Sequence, residues 1–259
     1  MKKVEFEDGS VILAVADGHG SKACPFSKSG SGIAVNVFCK VMQEFYTGYK
    51  DNLELLLTYL NREGDTKVAQ AVDEEWKRRV LIAHTKNKRD VPHTSDGEKD
   101  KAEIYKEYGT TLVGLMITPI FLFAFQIGDG DITYVDDTGV EEVLAADKIL
   151  GTETHSLSKA DAWKKAITVV RRRTVDEKTP ALFMLSTDGF ANSYKNGDEF
   201  KKTCTDYFEM IKQHGCEAVG ANLKSWLCET SEQGCGDDIT LLMCYIDKDA
   251  GESEDKKNE

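Results

Sequence analysis

The chain predicts an α+β fold in which two antiparallel β-sheets form a sandwich and pairs of helices cover the outer faces, a four-layer α-β-β-α stack. Three observations carry this expectation. Apolar residues recur at helical spacing in two pairs of segments, one pair before and one pair after a strand-rich middle. The strands of that middle are joined by short turn signals, which suit hairpins rather than the long crossovers that parallel strands need. Helices that are apolar on one face only are all buried if they pack in pairs against the two outer sheet faces.

In chain order, Val4–Glu7 reads as a strand, Asp8-Gly9 as its hairpin turn, and Val11–Ala16 as a buried strand that ends at Asp17-Gly18. From about Ser29 the period changes, and Ala34, Val37, Phe38, Val41, Met42 and Phe45 line one face of a long helix. Val68, Val72, Trp76 and Val80, at four-residue intervals, line a second. Residues 84–103 are charged, contain Pro92 and Gly97 and show no period, so they read as an exposed loop. Thr110–Thr118, Ile120–Ile127, Asp131–Val135 and Val140–Leu144 then form an antiparallel meander, punctuated by Pro119, Gly128-Asp129-Gly130 and Asp136–Gly139. No pattern decides residues 147–163. Ile167–Arg171 and Ala181–Leu185 are further strands. Two amphipathic helices follow, one on Phe200, Cys204, Tyr207, Phe208 and Ile211, the other on Val219, Leu223, Trp226 and Leu227; Ile239–Ile246 is the last strand. This is one domain over residues 1–246, with a disordered charged tail at 247–259.

Composition narrows the function. A net charge of −12 argues against general nucleic-acid binding, which needs a basic footprint. An acidic chain that handles phosphate needs local positive charge, and bound metal is the economical source. The seven cysteines are odd in number and never spaced C-x-x-C, so they read as buried or partly buried free thiols of a reducing cytoplasm. No signal peptide is visible, and the longest apolar stretch, around Ile120–Phe125, falls far below the ~20 residues of a membrane span. A soluble monomer without nucleic-acid or membrane partners is the expectation.

Four aspartates share one context. Asp17, Asp129 and Asp188 each follow a strand, Asp237 precedes one, and glycine stands beside each of them (Gly18, Gly128 and Gly130, Gly189, Gly236). In an antiparallel sheet the end of one strand and the start of its neighbour lie at the same edge, so these carboxylates can converge at one rim. Converged carboxylates repel unless a cation sits among them, and oxygen-only ligands suit Mg²⁺ or Mn²⁺. Two such ions ~4 Å apart would activate a water and neutralise phosphate oxygens. His19, two residues after Asp17, is placed to protonate a departing alkoxide. Of Asp237 and Asp238, at most one should reach the site if they alternate along a strand, whereas Asp131 shares a face with Asp129 as a decoy.

The run Val15–Gly20, with Asp17-Gly18-His19-Gly20 at its heart, resembles the signature of the protein phosphatase 2C family. Four further blocks are similar to family motifs in the same order: Tyr108–Leu112, Gln126–Gly130, Leu185–Phe190 and Gly236–Leu241, the last with Asp238 where the family usually has asparagine. The resemblance implies a metal-dependent serine/threonine phosphatase that acts by an ion-activated water, without a phosphoenzyme. It implies Asp17 as the bridge between two Mg²⁺ or Mn²⁺ ions, the Gly18 carbonyl, Asp188 and Asp237 as further ligands, Asp129 with Asp188 at a third ion, and His19 as general acid. Its partners would be phosphorylated proteins and a cognate serine/threonine kinase. Gly109–Leu112 is read as structural, with no chemistry of its own. The family's N-terminal strand, with an arginine that grips phosphate and an acid pair, has no counterpart before Asp17, since Glu7-Asp8 fall in the hairpin turn. The resemblance therefore implies a weaker second ion, and it leaves a non-catalytic interaction module as the competing reading. Arg171-Arg172-Arg173 is the only dense basic cluster of the second half: a solvated strand end, a replacement for the absent arginine, or a seat for an acidic phosphopeptide.

Overall fold

The computed structural model describes residues 1–95, 97, 100–144, 154–173 and 180–247. Nine strands form two antiparallel sheets among these residues. The first has β1 (Lys2–Glu5), β2 (Val11–Val15), β3 (Leu112–Ile117), β4 (Phe121–Ile127) and β7 (Ile167–Arg172) in the order β1-β2-β3-β4-β7. The second has β5 (Asp131–Asp136), β6 (Gly139–Leu144), β8 (Ala181–Ser186) and β9 (Leu241–Ile246) in the order β6-β5-β8-β9.

Alternation along the strands builds the layers. Ile12 and Ala14 face α1 (Ser27–Tyr49), α2 (Leu53–Glu63) and α3 (Ala69–Lys86), in a core shared with Phe38, Trp76 and Phe123. Leu13 and Val15 face the other way and meet Ile132, Phe183 and Leu185 of the second sheet. The outer face of that sheet, through Val135, Leu182 and Met184, packs on Phe190, Phe200 and Phe208 of α5 (Asp188–Asn192) and α6 (Gly197–Gln233). Three apolar interfaces thus separate four layers, as the helix and strand periods predict.

Several boundaries differ, each for a local reason. The first strand is β1, Lys2–Glu5 rather than Val4–Glu7, because Phe6 N donates to Ser10 O at 2.9 Å and closes the turn early. The Asp8-Gly9 turn itself is as predicted, with Gly9 at φ +81° and the Asp8 carboxylate accepting from Ser10. α2 went unread in the sequence; Asn52 caps it by accepting from Leu55 N, and Leu56, Leu57 and Leu60 bury its inner face. A π-helical turn at Gly64–Val68 joins it to α3. Residues 84–103 are not all loop: α3 runs to Lys86, and Asp100 caps α4 (Lys101–Lys106). His84 is buried there because it packs against Tyr108. The two C-terminal amphipathic helices are the halves of α6, broken at Gly215 (φ +81°, ψ 161°). The last strand starts at Leu241 rather than Ile239. All seven cysteines are free thiols, but Cys216, Cys228 and Cys235 are exposed rather than buried, since the second half of α6 and the turn after it face outward. Of the undecided stretch, residues 147–153 lie outside the described residues, as does the tail from residue 248, while its end forms a 3-10 turn at Ala162–Lys165.

Helix α1 is pinned to the loop before β3. Trp76 Nε1 donates to Gly30 O at 3.1 Å, and a Cβ on Gly30 would stand 1.9 Å from Tyr108 O. Gly30→Ala should therefore destabilise the fold by about 1–3 kcal/mol despite the better helix propensity of alanine. Gly220→Ala, at an exposed position in α6 with nothing within 4 Å, should stabilise it by about 0.5–1 kcal/mol. Urea denaturation of both variants measures the two signs.

Candidate metal centre

Strand register decides which loops meet. In the first sheet Val15 pairs with Val113, and Leu112 pairs with Ile127, so the end of β2, the start of β3 and the end of β4 share one rim. In the second sheet Ser186 pairs with Asp131 and with Leu241, so the end of β8 and the starts of β5 and β9 share one rim as well. Asp17, Asp129, Asp188 and Asp237 all belong to these loops. Glu7 and Asp8 stand at the opposite end of β2, so they supply nothing here.

The Asp17 segment is held by backbone pairing that continues past β2. Gly18 bridges Thr110 in antiparallel register. Thr111 N donates to Asp17 O at 2.8 Å, Thr110 Oγ1 donates to the same oxygen at 2.6 Å, and Asp17 N donates to Thr111 Oγ1 at 3.1 Å. His19 N donates to Gly109 O at 3.1 Å. Gly109 leaves the space that the imidazole occupies: a Cβ there would stand 2.7 Å from His19 Cδ2 and 3.1 Å from Cys24 Sγ. In Gly109–Leu112, read from the sequence as structural, the two threonines are the clamp on Asp17. Nothing in the sequence marks them as such, because the clamp depends on register between residues far apart in the chain.

The other acids are tethered in their own loops. Gly128 turns at φ +114° after β4, and Gln126 Nε2 donates to the carbonyls of Gly128 and Gly130 at 3.2 and 2.5 Å. Asp129 Oδ2 then accepts from Thr154 Oγ1 at 2.8 Å. Asp188 opens α5 and accepts from Asn192 Nδ2 at 3.2 Å. Thr187 N donates to Thr240 O at 3.0 Å and Thr240 N to Thr187 Oγ1 at 2.9 Å, which ties the Asp188 loop to the one that carries Asp237. Ser231 Oγ donates to Asp237 O at 2.6 Å.

These loops set the electrostatics of the half-buried Asp17. Burial, and then the carboxylates of Asp188, Asp237, Asp129 and Asp238 in that order, push its carboxyl from 3.8 up to about 6. Asp238 adds its charge to that of Asp237. With β9 starting only at Leu241, strand alternation does not apply to residues 237 and 238, and both acids act on Asp17. Asp131 lies elsewhere: its charge acts on Cys204 of α6, under the outer helix layer. The Arg171–Arg173 cluster is also remote, because Arg172 pairs with Phe121 at the end of β4 opposite to Asp129. Arg171 binds Glu141 at 2.7 Å, Arg172 grips Glu54 at 2.6 and 2.7 Å, and Arg173 donates to Thr118 O. It is a solvated strand end taken up in ion pairs.

The donor set around Asp17 is all oxygen, which fits hard divalent cations. Among the described residues no three His, Cys, Asp or Glu side chains close into a cage around one point. Mg²⁺ and Mn²⁺ do not require one, since Mg²⁺ in particular keeps several waters and takes one or two carboxylates. The fit therefore rests on the gathered carboxylates.

A raised carboxyl binds its proton more tightly in the folded chain than in the unfolded one. The cost of its charge is thus present above about 6 and disappears as the pH falls below its ordinary value of 3.8. Metal-free Asp17→Asn should melt higher than the parent at a pH of about 7 and alike at about 4, while the Mn²⁺-induced rise in melting temperature shrinks. A lower melting temperature for the variant at neutral pH would contradict this electrostatic picture; differential scanning calorimetry decides.

A family model described as protein phosphatase 2C matches residues 2–228. Solved structures of the same fold include a bacterial serine phosphatase, with a TM-score of 0.57 and 13% identity over 95% of this chain and 90% of that one. The serine/threonine phosphatase Stp1 from Staphylococcus aureus gives 0.56 and 12% identity over 95% of this chain and 87% of that one. The Mycobacterium tuberculosis serine/threonine phosphatase PstP/Ppp gives 0.53 and 12% over 95% and 92%. No curated protein sequence matches the chain.

Proposed function

The chain belongs to the protein phosphatase 2C family, and on that premise we propose that it is a divalent-metal-dependent hydrolase of phosphoserine and phosphothreonine in proteins. The observation that carries the reading is the gathering of Asp188, Asp237, Asp129 and Asp238 about the half-buried Asp17. In this reading Asp17, the Gly18 carbonyl, Asp188 and Asp237 would hold two Mg²⁺ or Mn²⁺ ions, and Asp129 with Asp188 would hold a weaker third. When bound, the ions supply the positive charge and the water activation that phosphate ester hydrolysis needs.

The chain's own groups do the rest. Thr110 and Thr111 fix the Asp17 backbone, so the carboxylate is presented without a search over conformations. His19 is set by its N–H bond to Gly109 and by packing on that glycine, with its ring half-exposed at the mouth. There it hands a proton to the seryl or threonyl oxygen as the P–O bond breaks, so that the leaving group departs as an alcohol. Asp129 is oriented by Thr154. No helix among the described residues is long and apolar enough to cross a membrane. Free thiols suit a reducing cytoplasm, where a serine/threonine kinase would supply the phosphoprotein.

Assays with p-nitrophenyl phosphate and a phosphothreonine peptide test this. Turnover should require Mn²⁺, stop with EDTA and fall by on the order of a hundredfold or more in Asp188→Ala. His19→Ala should lose roughly 10²-fold in kcat with Mn²⁺ affinity unchanged, and equal damage to metal affinity would remove its role as acid. No turnover above Asp188→Ala at any Mn²⁺ concentration would identify a non-catalytic interaction module instead.

A further inference from the structure

The metal centre and the chain as a whole are acidic, yet one side of the Asp17–His19 loop is basic. Lys22 is exposed in the tight turn that follows His19, closed by Cys24 N donating to Ser21 O at 2.9 Å. Lys28 is exposed in the first turn of α1, next to Ser27, whose carbonyl would stand 2.8 Å from a Cβ on Gly18. That first turn contains no acidic residue and no side-chain cap, so nothing local offsets its charge. The loop between α3 and α4 adds Lys88, exposed, and Arg89. The Arg89 guanidinium lies 3.5 Å from the centroid of the Phe26 ring and donates to Tyr108 Oη. Tyr108 directly precedes the glycine on which the His19 ring packs. Lys22, Lys28 and Lys88 make no ion pair among the described residues. Among the described residues the acids of this segment are Asp90, exposed beside Arg89, Asp100, which caps α4, Glu103, which Lys106 neutralises, and Glu107, which faces His84 at 3.7 Å.

We propose that this rim of Lys22, Lys28, Lys88 and Arg89 binds acidic residues that flank the phosphorylated serine or threonine, which makes acidic phosphopeptides the preferred substrates. The inference rests on the phosphatase reading and names the substrate class of that same site. Charge complementarity carries it. A peptide that brings carboxylates as well as phosphate meets long-range repulsion from a chain of net charge −12, and a basic lip at the mouth reverses the local sign and steers it inward. The three lysines act as exposed, salt-screened charges. Arg89 acts differently: held against two aromatic rings, its planar fork loses little freedom when it grips a carboxylate in bidentate fashion. The arginines of the 171–173 cluster, already paired at the far end of the sheet, are not available for this task.

The test compares kcat/KM for two phosphothreonine peptides that differ only in flanking Asp/Glu against Asn/Gln, at low and high salt with Mn²⁺. The parent should favour the acidic peptide, through KM, and lose the preference in high salt. In Lys22→Glu/Lys28→Glu/Lys88→Glu the acidic-to-neutral ratio should fall on the order of tenfold, and in the corresponding triple arginine variant it should persist. A parent ratio near one, or a ratio that the glutamate variant preserves, would overturn the proposal while leaving the phosphatase reading intact. If the parent turns over neither peptide nor p-nitrophenyl phosphate, the phosphatase reading fails. Anisotropy with a fluorescent acidic phosphopeptide then judges the rim by itself: weaker binding to the glutamate variant supports it, and equal binding overturns it. Binding to phosphatidylserine vesicles that the variant loses, without any peptide preference, would reassign the rim to a membrane surface and overturn it too.

Discussion

Mutual repulsion among carboxylates is the constraint on which this site depends. Asp17 is half-buried, and four further acids raise its proton affinity; a fold that holds them together bears that strain unless cations relieve it. Every other feature of the rim serves to keep the acids there. The threonines of the segment before β3 clamp Asp17, Thr154 holds Asp129, Asn192 holds Asp188, and Ser231 anchors the backbone of Asp237. The sandwich makes the convergence possible: antiparallel register brings the ends of β2 and β4 to one edge of the first sheet and the end of β8 and start of β9 to one edge of the second, and the two sheets stack.

The same repulsion explains why the surroundings matter as much as the ligands. A substrate with two or more negative charges, as proposed, would meet an acidic protein, and Lys22, Lys28, Lys88 and Arg89 are the basic residues set beside the Asp17–His19 loop. Phe26 connects the two arrangements. Its backbone N donates to Glu107 O at 2.9 Å, and its ring carries Arg89. Loop, helix start and guanidinium are thereby one packed unit with the His19 ring at its inner end.

Much of this is legible in the sequence, for definite reasons. The apolar runs at Val11–Ala16 and Ala181–Leu185 survive into the fold because those strands are buried on both faces, and the helical period at Ala34–Phe45 survives because that helix buries one regular face. Turn aspartates beside glycine mark the loops of the site. What is not legible depends on tertiary geometry. The Thr110–Thr111 clamp needs the pairing of Gly18 with Thr110. The reach of Asp238 follows from a strand that starts two residues late, and the separation of the Arg171 cluster from the site follows from the direction of β7 against β4. α2 hides because its apolar stripe is short, and His84 reads as loop because its burial depends on Tyr108, a distant partner.

Anomalous diffraction from crystals grown with Mn²⁺ addresses the central claim most directly. Peaks between Asp17 and the side chains of Asp188 and Asp237 are the predicted result. Manganese bound elsewhere, with those three carboxylates turned apart into solvent, would contradict it.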